Sequence, residues 1–236
     1  MSQQKKQLIL TGDDFGASSR VNEAIEKLHK EGALTQASLM IDGAASEEAL
    51  RIAQRHPGLC VGLHLVLAEN RPALNGLRFF FDLKSRVHLT ENIQRQAMLF
   101  RASGLNPTYW DGHMHLHLHP TVARIALPIL TDAGFHGVRL MREDSRGIVP
   151  HIFRALSNRA IPDLQQNGLR FTDRTFGLVE TGKITTTFLT DTIAALPTGL
   201  SEIYFHPGAE PSPIDGRSIR ATCDQFAVQR TTLLSA

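Results

Sequence analysis

Short apolar runs alternate along the chain with longer segments whose apolar residues return every three or four positions. This is the pattern of strand and helix units arranged around a parallel sheet. Leu8 to Leu10 reads as a first strand, followed by a helix that Ser18 or Ser19 caps and Gly32 ends. Leu34 to Ile41 reads as a second strand and Ser46 to Arg55 as a second helix, stopped by Pro57. Val61 to Leu67 is apolar almost throughout, as expected of a strand covered on both faces. The stretch "AENRPALNGLRFFFDLKSRVH", residues 68–88, has no clean period and reads as a long insertion. Beyond it the spacing predicts helices from Thr90 to Ser103, Thr121 to Ala133, Ile148 to Asn167 (broken near Pro162) and Thr185 to Ala195. Strands are predicted at Thr108 to Trp110, Val138 to Leu140 and Glu202 to Phe205. No repeat, low-complexity tract or linker interrupts the pattern, so one domain over residues 1–236 is expected.

In a parallel α/β fold the C-terminal ends of the strands gather on one face, where sites are built. The notable polar residues fall at those ends. Asp13 and Asp14 follow the first strand, His64 lies in the third, Asp111 and His113 follow the "TYW" strand, Arg139 lies in its short strand, and His206 follows the last. Each has a structural alternative. Adjacent aspartates after a strand cap helices, a histidine in "VGLHLVL" can be a hydrogen-bonded core residue, and His206 before Pro207 and Gly208 can be a turn residue. The functional alternative makes one aspartate a metal ligand and its neighbour a base. It makes His64 a neutral imidazole ligand and His206 a general acid near neutral pH. The strongest signal is "DGHMHLHLHP", where His113, His115, His117 and His119, four of the chain's eleven histidines, occupy alternate positions. Extended backbone would put all four on one side, whereas a helical start would pair His113 with His117. His113, nearest the strand end, is the first candidate ligand and His117 the second; His115 and Arg139 are further candidates for contact with metal or substrate.

Composition narrows the chemistry. With 236 residues and 42% hydrophobic content the chain can bury a full core. A net charge of +2 without basic runs points away from a nucleic-acid partner. Cys60 and Cys223 are too few for a disulfide framework, which suits a reducing, cytoplasmic setting. The N-terminus lacks a leader's apolar stretch, and no run is long enough to cross a bilayer. A G-x-S-x-G elbow is absent, which argues against an acyl-enzyme route. A homodimer is expected only from how common that symmetry is.

Taken together, "TGDDFG", "GLHLVL", "DGHMHLHLHP" and "EIYFHPG" resemble the YdjC-like carbohydrate deacetylase family, from about residue 7 to about residue 208. "NEAIEKLHKEGALTQASLMIDGAA", "GLHLVLAENRPAL" and "GLSEIYFHPG" resemble the branch associated with hopanoid biosynthesis. The resemblance implies a distorted (β/α) barrel holding one divalent metal ion, magnesium or zinc, on Asp14, His64 and His113. It implies Asp13 as catalytic base and His206 as acid. The implied reaction is hydrolytic N-deacetylation of an acetylated amino sugar, an N-acetylglucosaminyl hopanoid intermediate in that branch. A soluble chito-oligosaccharide is the rival substrate, and a metal- or sugar-binding barrel without catalysis the rival class; the presence of both Asp13 and His206 speaks against the latter. The mixed carboxylate and imidazole set suits zinc, cobalt, nickel or manganese, while magnesium prefers more oxygen donors. Three departures stand out: Gly12 where the family has Ala, a short stretch between Pro72 and Leu89, and a weakly matching tail after Gly208. Phe79 to Phe81 would either pack into the core or line an apolar groove for a lipid body, with peripheral membrane contact.

Overall fold

A computed structural model describes residues 5–67, 78–233 and 235. Among these residues eight strands form one sheet: β1 (Lys6–Phe15), β2 (Gln36–Leu39), β3 (Cys60–Leu65), β4 (Tyr109–Gly112), β5 (Gly137–Val138), β6 (Arg174–Phe176), β7 (Gly199–Phe205) and β8 (Gln229–Arg230). Their order is β5-β4-β3-β2-β1-β7-β6, and every pairing is parallel. β8 pairs with Gln7 and Leu8 of β1, and β2 pairs with β1 from Thr11 onward. The helices between the strands are α1 (Ser19–Lys30), α2 (Ser46–Arg55), α3 (Leu83–Ala102), α4 (Pro120–Asp132), α5 (Ile148–Gln166), α6 (Thr186–Ala194) and α7 (Gly216–Gln225).

The two ends of the sheet meet through the segment that enters β6. Gly137 bridges Arg170, the Val138 amide donates to the Arg170 carbonyl, and the Arg170 amide donates to the His136 carbonyl. The Thr175 hydroxyl bonds the Leu140 carbonyl across the same seam. The sheet is thus a distorted (β/α) barrel, closed by few backbone bonds.

Local sequence accounts for these elements. Leu8, Ile9 and Leu10 of β1 are fully buried, and such side chains contribute about 1.5–3 kcal/mol each when removed from water. In α1 the Ser18 side chain accepts from the Val21 amide, and Val21, Ile25 and Leu28, spaced at helical intervals, face the core. Pro120 opens α4 at the position proline tolerates best. Gly62 lets β3 and β4 approach: a Cβ there would lie 2.5 Å from Tyr109 Cε1 and 2.6 Å from its carbonyl oxygen.

Several features differ from the sequence-based expectation, among them helix α5, which runs unbroken through Pro162. Helix α3 begins at Leu83 rather than Thr90, because Asp82 accepts from the Lys84 and Ser85 amides and caps it. The aperiodic stretch is therefore shorter than expected, and its residues 68–77 lie outside the described residues. The three phenylalanines divide: Phe79 is buried, Phe80 is 42% exposed and Phe81 85% exposed. The tail beyond Gly208, where the pattern predicts no element, supplies α7 and β8, and β6 is likewise absent from the expected elements.

Gly62→Ala should destabilise the fold by about 1–3 kcal/mol through overpacking against Tyr109, read as a lower denaturation midpoint in urea at unchanged slope. A second expectation concerns acid. Glu26 of α1 accepts from Lys30, His56 and Arg55, and these bonds, that to Lys30 first, lower its pKa from 4.5 to about 2. Its contribution to stability is present above the unfolded pKa and is lost as pH falls towards 2. Glu26→Gln should flatten that limb of a pH–stability curve measured by urea unfolding.

Candidate metal centre and active site

At the C-terminal end of β1 an irregular backbone brings two adjacent carboxylates to one place. Neighbouring residues of a regular strand point to opposite faces. Here the β1–β2 register slips between Gly12 and Phe15, and Asp14 takes a left-handed conformation with φ 62°. Asp is among the few residues that visit this region, at a cost of about 1–2 kcal/mol. Asp13 and Asp14 consequently both lie beside His64 of β3.

Asp14 meets two imidazoles. Its Oδ1 is 3.3 Å from His64 Nε2 and 3.3 Å from His113 Nδ1. The three donor atoms fall within 4.8 Å of one another. Asp14 Oδ1 and His64 Nε2 are buried without a hydrogen-bond partner, as atoms facing a common ion would be. Burial would raise the Asp14 pKa, but the His113 and His64 imidazoles outweigh it and hold the carboxyl well below its usual range. Burial likewise works against charge on His64, yet Asp111, Asp14 and Asp13 push its pKa up to about 10. The surrounding carboxylates thus favour positive charge at this point. Asp111 Oδ1 sits 2.6 Å from His64 Nδ1, which orients the ring with Nε2 towards Asp14.

Behind this group lies a buried guanidinium. Arg139, just past β5, donates to Asp13 through both terminal nitrogens, at 2.7 and 2.8 Å. It lies 2.8 Å from Asp111 Oδ2 and donates through Nε to Glu202 Oε1 at 2.9 Å. Its carbon stands 4.7 Å above the Tyr204 ring. The Thr11 hydroxyl donates to Glu202 and the Ser38 hydroxyl to Asp111, each at 2.8 Å. Arg139 is thus committed to carboxylates from β1, β4 and β7 rather than open to a substrate.

The histidine tract is neither extended nor α-helical. It forms a 3-10 segment, His113–Leu118, with Met114 and His115 both left-handed at φ 54° and 56°. That kink sends its imidazoles in three directions. His113 faces Asp14, His115 Nε2 lies 2.9 Å from the Tyr204 hydroxyl, and His117 Nε2 donates to the Arg139 carbonyl at 2.9 Å. Burial lowers the His117 pKa to about 4, so the ring is neutral. Among the described residues neither His115 nor His117 belongs to a cluster with metal-ligand spacing.

His206 follows β7, and its imidazole is among the groups that lower the Asp14 pKa. Its amide donates to Glu210 Oε1 at 3.2 Å, and its Nδ1 lies 3.9 Å from the same oxygen. Glu210, Glu202 and the relay role of Asp111 escaped sequence reasoning. A signal existed for Glu202, a charge opening the apolar run "EIYF"; Glu210, in a turn, offered none. Beside His113 a groove of about 480 Å³, lined by Met40, Asp42, Asn92 and Arg95 among others, is of the size that small molecules occupy.

A model of the YdjC-like protein family matches residues 7–235. The chain belongs to the YdjC-like family. It is 38% identical over 135 residues to a carbohydrate deacetylase of Brevibacillus brevis, covering 52% of this chain and 54% of that one. To a carbohydrate deacetylase of Homo sapiens it is 31% identical over 215 residues, covering 78% and 66%. The matches thus span 54% and 66% of the length of these YdjC-like relatives. A solved Enterococcus faecalis V583 protein, assigned to cellobiose-phosphate cleavage, superposes with a TM-score of 0.69 at 18% identity, covering 98% of this chain and 100% of that one. That likeness speaks for the barrel fold alone.

Removing the guanidinium leaves three buried carboxylates uncompensated, so Arg139→Met should destabilise the fold by about 3–5 kcal/mol. Chemical denaturation in chelator would measure this; wild-type stability in the variant would refute the role given to Arg139.

Proposed function

We propose that this chain is a metal-dependent N-deacetylase of an acetylated amino sugar, and that the sugar is carried on a lipid body of the hopanoid type. The observation that carries the reading is the convergence of Asp14 Oδ1, His64 Nε2 and His113 Nδ1, two of these atoms buried without partners, beside Asp13. The family match and the carbohydrate deacetylases among its relatives support the reaction class. Exposed Phe80, Phe81, Leu83 and Val87, on the segment between β3 and β4, support an apolar substrate body.

The site residues divide the work of amide hydrolysis. Asp14, His64 and His113 would hold the ion, and one oxygen with two nitrogen donors fits zinc or a similar transition ion better than magnesium. A divalent ion there would supply Lewis acidity towards the acetyl oxygen and lower the pKa of water. Asp13, fixed by the Arg139 fork, takes the proton from the attacking water. His206, anchored at Glu210, delivers a proton to the departing amine nitrogen. The chain's own groups thus handle both proton transfers, and no covalent intermediate is needed.

The test is acetate release from an N-acetylglucosaminyl lipid and from chitobiose, together with metal content. Asp13→Asn should keep its metal and lose about 100-fold or more in rate. His113→Ala should lose metal, and His117→Ala should keep it. Full activity in Asp13→Asn sinks the assignment of the base. Phe80→Ser with Phe81→Ser should impair the lipid-linked substrate far more than chitobiose; equal loss on both would leave a soluble chito-oligosaccharide as the better substrate.

A further inference from the structure

The groove beside His113 has one wall on the turn after β2 and another on α3. Asp42 from the turn and Arg95 from the helix meet there, with Asp42 Oδ2 2.5 Å from a terminal nitrogen of Arg95. Both line the groove, and their side chains are 29% and 51% exposed, so a solute reaches them. His113, 26% exposed, lines the same groove and has its Nδ1 3.3 Å from Asp14 Oδ1. The groove therefore runs up to the candidate metal centre.

An exposed ion pair adds little to stability, yet both partners are tied to the strands that carry candidate ligands. The Gly43 amide donates to the Met40 carbonyl at 3.0 Å and closes a tight turn around Asp42. That turn is held against the end of β1. The Ala45 amide donates to the Gly16 carbonyl at 2.8 Å, and a Cβ at Gly43 would collide with the same oxygen. Gly16 stands two residues beyond Asp14. On the other wall Gln96, fully buried, donates to the Val66 carbonyl at 2.9 Å and accepts from the Val66 amide at 3.0 Å. Asn92 donates to the same carbonyl and accepts from Arg95, each at 3.0 Å. Val66 stands two residues beyond His64.

The pair keeps hydrogen-bonding capacity in reserve. Among the described residues Asp42 Oδ1 and the Nε and Nη1 groups of Arg95 have no partner. A carboxylate only accepts and a guanidinium only donates, so the two together match neighbouring hydroxyls, one donating to Asp42 and the other accepting from Arg95. The groove also offers the apolar residues Met40, Val66 and Leu67 to the face of a ring.

We propose that Asp42 and Arg95 read a vicinal pair of hydroxyls on the amino sugar and so determine specificity. The inference rests on the deacetylase reading: with the acetamido group on C2 held beside His113, the next hydroxyls along the ring are those on C3 and C4.

The probe is the methyl β-glycoside of N-acetylglucosamine, with its 3-deoxy and 4-deoxy analogues as controls. Binding to the full chain is followed by saturation-transfer NMR in chelator, where metal-dependent turnover does not interfere. Wild type should bind the parent sugar saturably and each analogue about tenfold more weakly, the worth of one hydrogen bond to a charged group. Asp42→Ala and Arg95→Ala should each lose that preference while keeping the wild-type urea midpoint. The proposal is overturned by the absence of saturable binding up to about 50 mM, by equal affinity for parent and analogues, or by the wild-type preference persisting in either variant. Acetate release with zinc added is scored separately. Binding with the expected preference but without release overturns the deacetylase chemistry and leaves this site standing; release without the preference overturns this proposal alone.

Discussion

One buried guanidinium joins parts of the barrel that backbone bonding joins only thinly. Arg139 follows β5 at one end of the strand order, yet it binds Asp13 on β1 and Glu202 on β7, next to the other end. Between the ends themselves the backbone contributes the Gly137–Arg170 bridge and its neighbouring bonds. Charge across the interior therefore does part of the work that a continuous ladder does in a regular barrel. The arrangement is stable only as a whole, because an ionised carboxylate in a dry interior is tolerated when paired and hydrogen-bonded, and costly when not.

The candidate metal site inherits its order from the same group. Arg139 and the Ser38 hydroxyl hold one oxygen of Asp111, and the other oxygen lies against His64 Nδ1. His64 is thereby oriented with Nε2 towards Asp14, so a chain of directed contacts runs from guanidinium to carboxylate to imidazole to the place where a cation fits. Asp111 against its Nδ1, with Asp14 and Asp13, raises the His64 pKa to about 10 in spite of burial.

The sequence made the barrel and the convergence of Asp13, Asp14, His64, His113 and His206 legible, because parallel strands must bring their C-terminal ends to one face. It could not resolve the histidine tract. Period two assumes extended backbone and an i,i+4 pair assumes a helix, but two successive left-handed residues, Met114 and His115, obey neither. Neither residue is a glycine that would have announced the turn. Arg139 was legible as a polar residue at a strand, but not as a hub, since its three carboxylate partners lie 28, 63 and 126 positions away. The two-residue strand β8 and the three-residue β6 carry no period long enough to detect, and both are held by tertiary pairing rather than by their own pattern.

The division between Asp13 and Asp14 turns on backbone, not on side-chain identity. In a regular strand the pleat would place Asp13 inside and Asp14 outside, among the helices. The register slip and the left-handed Asp14 rotate the second carboxylate back, so that it meets His64 and His113 while the first stays in the grip of Arg139. One carboxylate is then bound by a fixed cation and the other left with Oδ1 unpartnered between two imidazoles. Two chemically identical neighbours acquire different surroundings because only one of them is free to meet a second cation. The strain stored at Asp14 is the cost of that asymmetry, and the buried core of β1 on its N-terminal side holds the strand in register against it.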